Sequence, residues 1–376
     1  MPRLLLSLTV GGLFLVFCTA PRVYAQEDDD PVVRKKKISE WLKIVHEDPE
    51  LNKRQAALLI LEFTGTKPRR ILPGLLKELR ENSEDVIRAR CAELLVKFKD
   101  EKDQTDRLVV PLITALKQDK SERVREAAAT SLGKLARDGA KAVPDVTEAL
   151  KDKQPKVRAA AAEAIGQFCR VDAEIAKDSI PLLIVLLKDA DVNVRVQAAF
   201  ALGRMGPTAA PAVMALAALV AADKDANVRR ESAKTLAAIG SESRSAVKDL
   251  VKALDDPQTD VRQYAAVALA KIGPDAADAL PQLQKALKDK DKEVRCQVVH
   301  AIGSLGKAAL SVLPDLIRLL KDDDVAEVRL AVVQELGGLG PDAKEAIDAL
   351  TIASRDGRPA IREAAVDALK KVQKSP

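Results

Sequence analysis

One short motif, repeated along almost the whole chain, limits what this sequence can fold into. A Val-Arg pair recurs as Val124-Arg125, Val157-Arg158, Val194-Arg195, Val228-Arg229, Val261-Arg262, Val294-Arg295 and Val328-Arg329. Ile87-Arg88 and Ile361-Arg362 are conservative copies, and Lys53-Arg54 is the earliest and most divergent. The steps between these ten anchors are 34, 37, 33, 37, 34, 33, 33, 34 and 33 residues. A period in this range marks stacked supersecondary units, each too small to bury a core alone.

The residues after each anchor trace one face of an α-helix. Small residues stand four and five positions on, as in Ala128-Ala129, Ala161-Ala162, Ala198-Ala199 and Ala265-Ala266. An aliphatic residue stands eight on, as in Leu132, Ile165, Leu202, Leu236 and Leu269, and often another eleven on. Spacings of four, four and three fit the helical repeat, and the small pair lets neighbouring helices approach closely. Gly206, Gly240, Gly273, Gly306 and Gly340 then stand where a helix ends and a left-handed residue is expected. Another helix follows, with proline near its start at Pro144, Pro281 and Pro314, and in the same slot at Pro73, Pro111 and Pro181. Each unit is therefore helix–turn–helix, and no stretch alternates as a strand does. The two longer steps place their extra residues between helix pairs.

The slot five residues before the anchor holds Asp48, Asn82, Asp119, Asp152, Asp189, Asp223, Asp256, Asp289, Asp323 and Asp356. Aspartate there turns the chain and accepts backbone N–H bonds. The arginine six residues later is within reach of an Asp in its own or the next unit. Asp119/Arg125, Asp152/Arg158, Asp189/Arg195, Asp223/Arg229, Asp256/Arg262, Asp289/Arg295 and Asp323/Arg329 thus predict a charged ladder along the turns. It reads as stacking glue rather than a row of ligands, because a feature present in every copy specifies the copy.

The pattern D-x-x-x-x-V-R-x-x-A-A-x-x-L-G-x-I-G resembles the short HEAT repeats typified by phycobilisome lyases. The resemblance spans roughly residues 37–374 and implies an all-α solenoid, a right-handed superhelix of about ten units. The Thr-Pro-Leu-His of ankyrin arrays and the fixed Trp and Tyr of TPR arrays are absent.

Ahead of the array, residues 1–25 read as a secretory signal. Arg3 gives a positive start, Leu4 to Phe17 is an apolar stretch of 14 residues, and Val23-Tyr24-Ala25 offers a cleavage site. A membrane-spanning helix needs about 20 residues, so an uncleaved anchor is the second reading. Phe17 is bulky where a lipoprotein signal before Cys18 would place a small residue. The expected location is outside the cytoplasm, periplasmic or extracellular, with no further membrane span. Residues 26–36 read as a charged linker: an acidic run from Glu27 to Asp30, then a basic run from Arg34. Loss of Arg3 and Arg22 with the signal lowers the net charge from +5 to +3, which argues against a nucleic-acid surface. Cys91, Cys169 and Cys296 are odd in number and widely spaced, so they do not form a disulfide framework.

The search for chemistry finds little. Deoxyhypusine hydroxylase, a HEAT-like enzyme, holds iron with several His-Glu pairs. This chain has 2 histidines, His46 and His300, too few and too far apart for convergent ligation. No Cys-His or Ser-His-Asp constellation and no phosphate loop is visible. No cofactor, metal site or catalytic residue is expected.

A recognition surface is expected on the second helix of each unit, which in such solenoids lines the concave face. Positions two, six and ten after the anchor point away from the core. Units five to eight depart there from the polar norm, with Val196, Phe200 and Arg204, then Arg230 and Lys234, then Tyr264, Val267 and Lys271, then Cys296 and His300. Aromatics are 2% of the chain, so Phe200 and Tyr264 on one face are informative. The competing reading buries them between helices. The expected function is a non-catalytic scaffold that binds partner proteins or peptides, with a HEAT-like lyase or hydroxylase, or a structural module of an envelope assembly, as the alternatives. The oligomeric state is not legible.

Overall fold

Ten consecutive helix pairs follow from the ten anchors. The computed structural model describes residues 30–63, 68–98, 105–137 and 139–374. The expected signal, 1–25, and the start of the linker lie outside the described residues. The pairs are Ile38–Glu47 with Leu51–Glu62, Pro68–Glu81 with Asp85–Leu95, Thr105–Gln118 with Glu122–Lys134, Val143–Ala149 with Pro155–Cys169, and Ile180–Leu186 with Val192–Met205. Then come Val213–Ala222 with Ala226–Ile239, Val247–Ala253 with Thr259–Ile272, Leu280–Ala286 with Lys292–Ser304, Leu313–Asp322 with Ala326–Gly338, and Ile347–Ala353 with Pro359–Val372. They are units 1 to 10, and every anchor sits in the first turn of a second helix.

The core is one continuous apolar layer between first and second helices. In unit 5, Val194, Ala198 and Leu202 are fully buried with Leu183 of the first helix and Leu187 just past its end. Consecutive second helices touch along their length, whereas consecutive first helices meet sparsely. The array therefore curves with the second helices inside. Small residues make the inner packing possible. A Cβ on Gly133 would lie 2.8 Å from the Ala164 Cα of the next unit, and one on Gly203 would lie 2.9 Å from the Thr235 hydroxyl. Where the facing residue is hydroxylated it bonds back: Ser131 donates to the Ala92 carbonyl at 3.0 Å and Thr235 to that of Ala199 at 2.8 Å.

Four sequence expectations need correction. The helix-ending glycines of units 5 to 9 have positive φ, and those of units 5 to 7 do not take the left-handed helical conformation: Gly206 stands at φ 57°, ψ −134°, Gly240 at φ 74°, ψ −135°, and Gly273 at φ 75°, ψ −142°. This is the first central position of a type II′ turn, and it launches a seven-residue 3-10 segment such as Gly206–Ala212. The three-residue period of that segment buries Ala209 with Ala212, and Ala276 with Ala279, a signal present in the sequence but not read there. Pro73 and Pro111 lie inside their helices instead of in the first turn, unlike Pro144, Pro181, Pro281 and Pro314.

The linker is also not wholly unstructured. Val32–Val33 pairs antiparallel with Lys36–Lys37 across a turn in which Arg34 and Lys35 both take positive φ. Trp41 Nε1 donates to the Val33 carbonyl at 2.9 Å, which ties this small hairpin to the first helix of unit 1. Finally, the run Val192–Ala222 is long and apolar enough to cross a membrane by length and composition. It is broken at Gly206 into the second helix of unit 5 and the first of unit 6, and Val194, Leu202 and Leu216 are buried in the repeat core.

Candidate functional site

The Asp/Arg slots form a ladder that joins each unit to the next. From Arg88 to Arg295, seven successive arginines donate through Nε and Nη2 to the aspartate of the following unit in two parallel bonds of 2.7–3.1 Å. Their Nη1 donates instead to the backbone carbonyl of their own unit's Asp or Asn, as Arg195 does to Asp189 at 2.9 Å. Arg329 closes the series with a single 3.1 Å bond to Asp356. Each aspartate also accepts the N–H two residues on, as Asp189 does from Asp191 at 2.9 Å. One side chain thus shapes the turn inside a unit and receives the preceding unit's guanidinium.

The electrostatics follow from that geometry. Burial pushes the Asp119, Asp152, Asp189 and Asp289 carboxyls up, but the arginine and backbone hydrogen bonds outweigh it and hold each below the usual carboxylate range. Asp356 is lowered chiefly by the N–H of Arg358. Asn82 breaks the series for a reason the structure supplies. Arg54 donates to its Oδ1 at 2.6 Å, and its amide donates to buried Glu78 at 2.5 Å. Glu78 is the local carboxylate, so a second one in slot 82 would be an uncompensated buried charge. Glu78 also holds His46, 2.9 Å from its Nδ1. His46 is thus engaged by a glutamate of the next unit and not by Glu47, its neighbour in sequence.

The inner-face residues of units 5 to 8 come onto one surface, but most are engaged within the chain. Phe200 is half-buried: its ring lies where a Cβ on Gly166 would come within 2.6 Å, and Arg204 stacks on it at 5.0 Å. Val196 is half-buried beside it, and Tyr264 and Val267 pack partly against the core. Arg230 pairs with Asp260 at 3.7 Å and Lys234 with Glu231 at 3.2 Å. His300 Nδ1 lies 2.7 Å from Glu335 of unit 9, and the bond to that carboxylate raises its pKa against the effect of burial. Lys271 and Arg204 are exposed. Cys296 is half-buried with its thiol pushed up by burial, and burial pushes Cys169 up to about 11. These thiols are not primed as nucleophiles. Among the described residues no His, Cys, Asp and Glu cluster has the makings of a metal site.

A groove that the sequence did not suggest opens on the same face at the seam of units 3 and 4. It holds about 420 Å³ and is lined by Thr130, Gly133, Lys134, Glu163, Gln167 and Arg170, among others. The signal was visible in principle. Phe200 covers Gly166 at the next seam, and the equivalent position over Gly133 holds Glu163 instead.

No curated protein matches this sequence. An engineered protein of known crystal structure has the same fold, with a TM-score of 0.64 at 20% identity over 90% of this chain and 99% of that one. Kap95p, whose binding induces the switch loops of RanGDP to adopt the GTP-bound conformation, matches with a TM-score of 0.55 at 15% identity over 89% of this chain. This chain spans 50% of the length of Kap95p, and at such identities both likenesses concern the fold alone. A family model described as HEAT repeats matches residues 109–184, 179–248, 247–337 and 313–376. It does not reach down to the phycobilisome-lyase type. With the repeat register, the inter-unit ladder and that match in agreement, the chain belongs to the HEAT-repeat family.

Proposed function

We propose that this protein is a non-catalytic scaffold that acts outside the cytoplasm and holds partner proteins or peptides on its inner face. One observation carries the reading. The residues common to all units are consumed by stacking, and the second-helix face is where side chains vary from unit to unit, with Phe200, Arg204 and Lys271 among them. A row of such faces offers an extended surface on a rigid frame. Location outside the cytoplasm rests on residues 1–25, whose pattern is that of a signal.

A photo-crosslinking residue placed at Val196, on the inner face, or at Val185, exposed on the first helix of the same unit, tests the site. Partner adducts are expected from Val196 and not from Val185. Adducts from Val185 alone would overturn the inner-face reading. Cell fractionation tests location, and recovery of full-length protein in the cytoplasm would contradict it.

A further inference from the structure

Unpaired cations on the inner face gather in units 3 to 5. Lys134 and Arg137 at the end of unit 3's second helix, Arg170 just past that of unit 4 and Arg204 in unit 5 are all exposed. None has an ion-pair partner among the described residues; Arg170 contacts only the Gln167 amide oxygen, at 3.2 Å, and Arg204 stacks on Phe200. In units 6 to 8, by contrast, Arg230, Lys234 and His300 each face a carboxylate of this chain, and Lys271 is the exception, with no ion-pair partner among the described residues. The side-chain-sized groove over Gly133 lies among these free cations, with Lys134 and Arg170 in its lining and Glu163 its sole acid.

We propose that units 3 to 5 bind an extended acidic peptide segment of a partner protein, its carboxylates on Lys134, Arg137, Arg170 and Arg204 and one apolar side chain in the groove over Gly133. This deepens the scaffold reading and rests on it. Charge complementarity selects the partner: exposed guanidinium and ammonium groups without acceptors take carboxylates, with Arg170 and Arg204 able to take them in a fork. Spacing selects the form. Neighbouring helices stand about 10 Å apart, and a chain in the polyproline II form advances about 3.1 Å per residue with every third side chain on one side, so a carboxylate at every third residue meets a cation on each helix in turn. A groove that admits a side chain favours a peptide over a nucleic acid, which would require a broader basic surface and stacking rings.

The test is fluorescence anisotropy on the whole chain, with a labelled synthetic peptide carrying Asp at every third position and Leu between. Its Lys-for-Asp analogue is the control. The acidic peptide is expected to bind with an affinity that falls as salt rises, and the Lys analogue is not. Combining Lys134→Glu with Arg170→Glu should weaken binding about tenfold or more, with helical content unchanged because both side chains are exposed. Thr130→Trp, which fills the groove without altering charge, should also weaken it. Arg230→Glu, at a cation already paired, should leave it within about twofold. Equal binding by the double charge-reversal variant or by the Lys analogue overturns the proposal. Displacement of the acidic peptide by single-stranded DNA at equal charge overturns the choice of peptide. If the acidic peptide does not bind while Val196 still crosslinks to a partner, this assignment falls and the scaffold reading stands.

Discussion

Units 3 to 5 and units 6 to 8 are built from the same helices in the same register, yet their inner faces hold charge differently. In units 6 to 8 most cations of the second-helix face meet acids of the chain itself, Arg230 with Asp260, Lys234 with Glu231, and His300 with Glu335, and exposed Lys271 of unit 7 is the exception. In units 3 to 5 the cations Lys134, Arg137, Arg170 and Arg204 are left to solvent. The turns of both regions carry the same arginine-to-aspartate bonds. Stability is therefore expected to be shared evenly along the array, while recognition is concentrated where charges lack partners within the chain.

The severest test of that division breaks the ladder between the two regions. Asp223→Ala leaves the Arg195 guanidinium without its carboxylate and opens the turn before Asp225. A loss of about 3 kcal/mol at this joint is expected, read as faster hydrogen exchange in units 5 and 6. Acidic-peptide binding by units 3 and 4 should survive it. A smaller effect is expected from Gly166→Ala, whose Cβ would meet the Phe200 ring at 2.6 Å and Ala201 at 3.3 Å. Overpacking there should cost about 1–3 kcal/mol in urea unfolding. Gly338→Ala, with nothing within 4 Å of the new Cβ, should be neutral or stabilising.

The pH dependence separates the shared ladder from the local pair. The carboxyls of Asp119, Asp152, Asp189 and Asp289 are lowered in the folded state, so their contribution is present above the unfolded carboxyl value near 4 and is lost as pH falls through the lowered folded values. Urea midpoints should drop on the acid side, with the loss spread over the seams that these four carboxyls hold. His300 is raised, so its contribution is complete below the unfolded value near 6.5 and is lost as pH rises through the raised folded value. That loss should be confined to the seam of units 8 and 9 and absent in His300→Gln. Smallest of all, Arg230→Ala removes an exposed pair and should change the unfolding free energy, read from urea curves, by less than about 0.5 kcal/mol.

Much of the frame was legible because it is periodic. Val-Arg anchors, small pairs and aspartate slots repeat, and repetition exposes a register that a single copy would hide. What repeats less was harder to read. The glycines after the second helices of units 5 to 9 were legible as breaks, but their conformation is set with the 3-10 segment that follows, whose spacing of three is easily taken for part of a helix. The hairpin at Val32–Lys37 depends on two non-glycine residues at positive φ, which composition opposes. The candidate surface was legible in place and not in detail. Helical spacing put Phe200 and Arg204 on the inner face, but whether Arg230 is free depends on Asp260, 30 residues away in the next unit. The groove over Gly133 depends on Glu163 standing where unit 5 has Phe200, a difference visible only once the seams are compared.

Hydrogen exchange of the whole chain with and without the acidic Asp-Leu peptide tests the central claim most directly. The account predicts added protection in the second helices of units 3, 4 and 5, Glu122–Lys134, Pro155–Cys169 and Val192–Met205. It predicts no change in the first helices or in units 6 to 8. Protection centred on Ala226–Ile239, Thr259–Ile272 and Lys292–Ser304, or on the first helices, would contradict it.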